Sequence, residues 1–228
     1  MKNSFVACLC TAALVGALAS AESSPGKQQC ESLASVQFLL YMQLEERHIP
    51  MKVPKIYFED AWDLVEGAEH RAQLFGLDFE TLHPLKRIDQ HRLNKAGKLN
   101  LLGVLLHDTV GPTKRLRYAI SEAQQWRVDK DSTAPIDEKD FRYGLKEVNQ
   151  GSEPYDRVFF APSQNSSSPV SIICPGTRPV RRKLCRHYYR SNRGIDVDLT
   201  YPMIELSRWS ETQRRVERLM DCFTPKEN

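Results

Sequence analysis

Glycine is scarce in this chain, at 11 of 228 residues. With it goes the backbone freedom from which phosphate-cradling loops are built. No Gly-x-Ser-x-Gly elbow, no His-Glu-x-x-His pair and no convincing Ser-x-x-Lys helix start occurs, so the common nucleophile and zinc-hydrolase motifs are missing. Cys-x-x-Cys is also absent, which removes the usual spacing of a zinc or redox site. Beyond residue 21 no apolar run approaches about 20 residues, the length that crosses a bilayer as a helix. Neither charge sign dominates: 32 Lys and Arg face 29 Asp and Glu. That balance does not by itself ask for nucleic acid or a membrane surface.

What is present begins at the N-terminus. Lys2 supplies a positive start, Phe5 to Ala19 is apolar, and Ala19-Ser20-Ala21 offers small residues where a signal peptidase cuts. Residues 1–21 therefore read as a secretory signal, cleaved after Ala19 or Ala21. Cys8 and Cys10 lie inside the apolar run and Cys30 well beyond it, so no cysteine stands where a lipoprotein would be acylated. The remaining 22–228 lose one lysine and no acid, leaving 31 basic and 29 acidic residues. That length suits one α+β domain, and 41% apolar residues are enough to build its core.

Export makes the cysteines disulfide candidates. Cys30, Cys174, Cys185 and Cys222 allow three pairings, of which Cys174–Cys185 and Cys30–Cys222 are favoured. The first closes a short loop between two strand-like runs, and the second ties the first mature helix to the last.

The spacing of Leu33, Val36, Phe38, Leu39, Leu40 and Leu44 predicts a helix over 30–46, ended by Pro50. Short β-branched and aromatic runs predict strands at 53–58, 73–79, 99–106, 115–120, 157–160, 170–174, 184–190 and 195–201. The turn Asn192-Arg193-Gly194 joins the last two as a hairpin. Leu206, Trp209, Val216, Met220 and Phe223 mark a terminal helix stopped by Pro225. The expected fold is α+β, an antiparallel sheet with an N-terminal and a C-terminal helix packed on it.

Most chemically tempting groups have plainer roles. His70, His83, His91 and His107 are scattered, and read as surface or hydrogen-bonded histidines. Glu59, Asp60 and Asp63 fit the first turn of a helix. Asp196 and Asp198 share one strand face, which reads as solvated. The stretch holding Arg178, Arg181, Arg182, Lys183, Arg186, Arg190 and Arg193 is the densest charge feature, with Tyr188 and Tyr189 beside it. Arginine with tyrosine is an interface composition. Arg181, Arg182, Arg186, Tyr188, Tyr189 and Arg190 are therefore the expected contact residues for an acidic partner face. The chain reads as an exported binding protein with no catalytic residues and no cofactor or metal.

Its C-terminal third carries a recognisable layout. Gly144-Leu145 and Asp156 are followed by Val158-Phe159-Phe160-Ala161-Pro162. Then come Ile172-Ile173-Cys174, Cys185, the strand Ile195 to Tyr201, and the helix with Leu206, Trp209, Val216, Leu219 and Phe223. Over residues 140–223 this resembles the periplasmic immunity proteins of type VI secretion lipase effectors. The resemblance implies a periplasmic protein that binds and neutralises a phospholipase toxin without a cofactor. Many such proteins are lipoproteins, from which this chain departs. An envelope assembly or conjugation-associated factor and a secreted hydrolase are the alternatives in other classes.

Overall fold

The computed structural model describes residues 33–108, 110–123, 138–148, 156–161, 169–176 and 183–225. Residues 1–21, Cys30, Arg178, Arg181 and Arg182 lie outside them.

The chain opens with strands, not a helix. β1 (Ser35–Met42) and β2 (Arg47–Pro54) form an antiparallel hairpin, and the two-residue β3 (Glu69–His70) adds parallel to β1. This corrects the helix expected over 30–46. Val36, Phe38, Leu40 and Met42 alternate into the core at period two. Leu39, turned outward at 40% exposure, fills a gap in that alternation and mimics helical spacing. Pro50 does not end a helix; it sits inside β2 opposite Leu39. The order β2-β1-β3 makes β2 an edge strand, where a missing N–H is tolerated.

The main sheet has eight strands in the order β4-β5-β11-β10-β9-β8-β7-β6, with every pairing antiparallel. They are β4 (Gln73–Asp78), β5 (Leu101–His107), β6 (Glu138–Asp140), β7 (Lys146–Val148), β8 (Asp156–Ala161), β9 (Val170–Pro175), β10 (Leu184–Arg190) and β11 (Asp196–Pro202). Among the described residues three α-helices accompany them: α1 (Arg87–Lys95), α2 (Pro112–Ala123) and α3 (Trp209–Phe223). The fold is α+β, an antiparallel sheet with a C-terminal helix.

One face of the main sheet shares a continuous apolar core with β1, β2 and α3. Phe38, Met51, Phe75, Val197, Tyr201 and Phe223 represent its layers. Phe223 stands edge-on to Tyr57 at 4.9 Å and 5.4 Å from Phe75. α3 begins at Trp209, after a 3-10 turn over Met203–Arg208, and presents Val216, Met220 and Phe223 inward. Cys174 and Cys185 are joined by a disulfide between β9 and β10.

α2 covers part of the opposite face. Its Leu116, Ala119 and Ile120 pack on Val148, Val158 and Phe160. The sequence 115–120 alternates in polarity and predicts a strand. Three- and four-residue steps between Leu116, Ala119 and Ile120 win because a sheet face beneath needs covering. Gly111-Pro112 starts the helix in the manner first-turn prolines favour. Glu59, Asp60 and Asp63 likewise flank no α-helix. Ala61–Asp63 is a single 3-10 turn, and Glu59 and Asp60 instead pair with Arg87 of α1.

Candidate functional site

The arginine-bearing hairpin β10–β11 lies in the middle of the main sheet, between β5 and β9. Alternation along β10 sends Cys185, His187 and Tyr189 into the core, while Arg186, Tyr188 and Arg190 face the side of α2. On β11 Asp196 and Asp198 point the same way, paired in register with Arg190 and Tyr188.

Both aspartates are only 4% exposed, so the solvated strand face expected from the sequence is a covered one. Asp198 receives Arg186 Nη2 at 2.8 Å and has Arg115 of α2 at 3.9 Å. Asp196 receives Arg190 Nη1 at 3.2 Å. Arg190 also meets Glu45 on the β1–β2 turn. Burial raises the Asp196 carboxyl to about 6; Arg190 pulls it down and Asp108 pushes it up. Burial lowers the His107 imidazole, and the Arg115 cation adds to this. Burying carboxylates beside a sheet is costly unless cations compensate, and three arginines from two elements do so here.

Tyr188 lies between two guanidinium groups, with Arg115 4.3 Å and Arg186 5.1 Å from its ring centre. Such stacking fixes both arginines. Tyr189 is 1% exposed in the core. Among the expected contact residues, then, the tyrosines are internal and Arg190 is largely enclosed. Arg186 keeps 56% of its side chain in solvent, and Lys183 is exposed beside it.

The far end of the hairpin is clamped to the β1–β2 turn. Gln43 and Leu44 each donate a backbone N–H to Asp108, at 2.7 Å. Arg47 donates to the carbonyl oxygen of Gly194 at 3.1 Å. Gly194 has φ of 70°, and a side chain there would strike the Arg47 guanidinium. The composition signalled the arginines; neither the buried acids nor Asp108 carried a comparable signal.

The four histidines of the middle region do not converge. His70 stands edge-on to Phe38 at 4.8 Å, His83 and His91 are exposed, and His107 is buried. No group of three potential metal ligands stands together among the described residues. No helix among them is long and apolar enough to cross a membrane.

The arrangement defines an α+β scaffold whose central hairpin is locked by internal ion pairs and offers a cationic edge. No family model matches the chain, and no curated protein does. Among solved structures it is similar to Smlt3025, an immunity protein of the Stenotrophomonas maltophilia type IV secretion system. The match has a TM-score of 0.54 at 12% identity over 84% of this chain and 94% of that one. It is also similar to FrpD, an iron-regulated outer membrane lipoprotein of Neisseria meningitidis. There the TM-score is 0.50 at 12% identity over 83% of this chain and 92% of that one. The fold is therefore one that a secretion-system immunity protein uses.

Proposed function

We propose that this chain is an exported immunity protein that binds and neutralises one protein toxin in the periplasm. The observation that carries the proposal is the fold shared with a secretion-system immunity protein across most of both chains. The locked hairpin supports it, because an inhibitor needs a pre-set surface rather than a nucleophile. The resemblance over residues 140–223 adds a phospholipase as the toxin. The secretion route, type IV as in the structural relative or type VI as the resemblance implies, is read from the genes beside it.

The contact residues in this proposal are Arg186, exposed on β10, and the basic residues shortly before it in the sequence, Arg181 and Arg182, without the two tyrosines. Deleting the gene should be harmless in monoculture and lethal only when a neighbour delivers the toxin. In vitro, the effector encoded beside this chain should bind stoichiometrically. Combining Arg181→Glu, Arg182→Glu and Arg186→Glu should weaken that binding at least tenfold. Unaltered affinity would rule these contacts out. A growth defect without any toxin would instead favour an envelope accessory factor, the reading to which the likeness to FrpD lends support.

A further inference from the structure

The segment 58–68 groups three exposed large apolar side chains within four residues. Trp62 is 72% exposed, with Val65 at 54% and Leu64 at 36%. Large apolar side chains grouped this closely on a surface mark contact sites more often than chance. Tryptophan is also the residue most enriched among interface anchors.

The segment is tightly held. Phe58 is buried in the core at its start. Next to it Glu59 accepts from Gln90 at 2.7 Å, and Asp60 from Arg87 at 2.9 Å. At its end the Glu66 carboxylate accepts the Gln37 N–H at 3.1 Å, and Gly67 donates to the Gln37 carbonyl at 2.7 Å. Gly67 has φ of 72°, a conformation natural to glycine. Between these anchors, the 3-10 turn over Ala61–Asp63 lifts Trp62 outward. Burying a side chain already held this way costs a partner little ordering entropy.

Charge chooses the partner. From Glu59 to Glu69 there are five acidic residues and no Lys or Arg. Asp60 and Glu59 are matched by Arg87, and Glu69 by His48. The Asp63 carboxylate, next to Trp62, has no hydrogen-bond or ion-pair partner among the described residues. Such a rim repels an anionic membrane surface and attracts a basic protein surface.

We infer that residues 58–68 form a preorganised anchor that seats Trp62 in an apolar cleft rimmed by Lys or Arg on a folded protein partner. The inference rests on the toxin-binding reading above and adds to it the anchor and the partner's chemistry.

The test titrates the purified product of the adjoining effector gene into the full-length chain and into Trp62→Ala, Val65→Glu and Asp63→Lys variants. Trp62 and Val65 are exposed and Asp63 is half-buried with an unpaired carboxylate, so the variants should keep the wild-type thermal midpoint. Trp62→Ala and Val65→Glu should each weaken binding at least tenfold. Asp63→Lys should weaken it less and flatten its salt dependence. If the wild-type chain binds this effector and Trp62→Ala binds within twofold of it, the anchor is wrong while the function stands. If the wild-type chain does not bind at all, the function fails and the anchor with it. Two further results also overturn the inference: a wild-type dimer in solution that Trp62→Ala makes monomeric, or Trp62-dependent binding to anionic phospholipid vesicles.

Discussion

His187 is buried completely, between the rings of Tyr189, Tyr201 and Trp209 at 5.4, 6.1 and 5.9 Å. Its Nδ1 faces the Tyr201 hydroxyl at 3.4 Å. Burial pushes its pKa from the ordinary 6.5 down to about 3. Between those values the unfolded chain takes up a proton that the folded chain refuses. Acid therefore destabilises the fold by about 1.4 kcal/mol per pH unit once the pH is well below 6.5. Asp196 and Glu217 work in the opposite sense. Burial raises both carboxyls to about 6, so the folded state holds the extra protons, and their contribution is lost as the pH climbs through 6. The two effects offset one another in the wild type. His187→Leu removes only the first. The variant should gain stability relative to wild type as the pH drops from 7 to 4.5, read from urea midpoints at several pH values. A wild-type-minus-variant difference that stays flat across that range would mean the ring titrates normally in the folded protein.

At the scale of elements, the joint between the β1–β2 turn and the end of β5 depends on Asp108, which is 1% exposed and accepts two backbone N–H groups of that turn. Asp108→Ala leaves Gln43 and Leu44 without those acceptors. It should cost about 2 kcal/mol in chemical denaturation and speed amide exchange at residues 43 and 44 well before the rest of β1. Uniform exchange along β1 would show that the clamp carries no local stability. This joint was not legible in the sequence, because it links residues 64 and 65 positions apart through a single carboxylate. The β10–β11 hairpin was legible, since Ile195, Val197, Leu199 and Tyr201 alternate cleanly before the Asn-Arg-Gly turn. β1 and α2 were each misread, one as a helix and the other as a strand. Leu39 on an outer face and Tyr118 on a helix's solvent side, 50% exposed, are apolar residues in polar positions. They blur the two periods that separate a strand from a helix. The same limit hid the site. Polar alternation at Asp196 and Asp198 reads as a wet face until α2, a long-range neighbour, is known to lie near it.

For the whole molecule, the decisive feature is a sheet covered on both sides at its centre, which puts the Cys174–Cys185 bridge out of solvent at 0% exposure. Cys222, which is also disulfide-bonded, sits at the half-buried end of α3. Thiol–disulfide exchange needs direct access of the attacking thiolate to sulfur. Dithiothreitol without denaturant should therefore open the Cys222 bridge first. The β9–β10 bridge should open only at the rate of global unfolding, because the central strands open last. Alkylation followed by mass spectrometry over a reduction time course reads this order directly. Simultaneous release of all the thiols would show that the sheet's centre breathes as freely as its C-terminal helix. Once open, the central bridge stops restricting the unfolded chain over a sequence separation of 11 residues, which the chain-entropy account values at about 3 kcal/mol. The Cys174→Ala/Cys185→Ala double variant should lose about that much in denaturant unfolding. Its affinity for the toxin should hold wherever the folded form still predominates, because the bridge is buried whereas Trp62 and Arg186 stand in solvent.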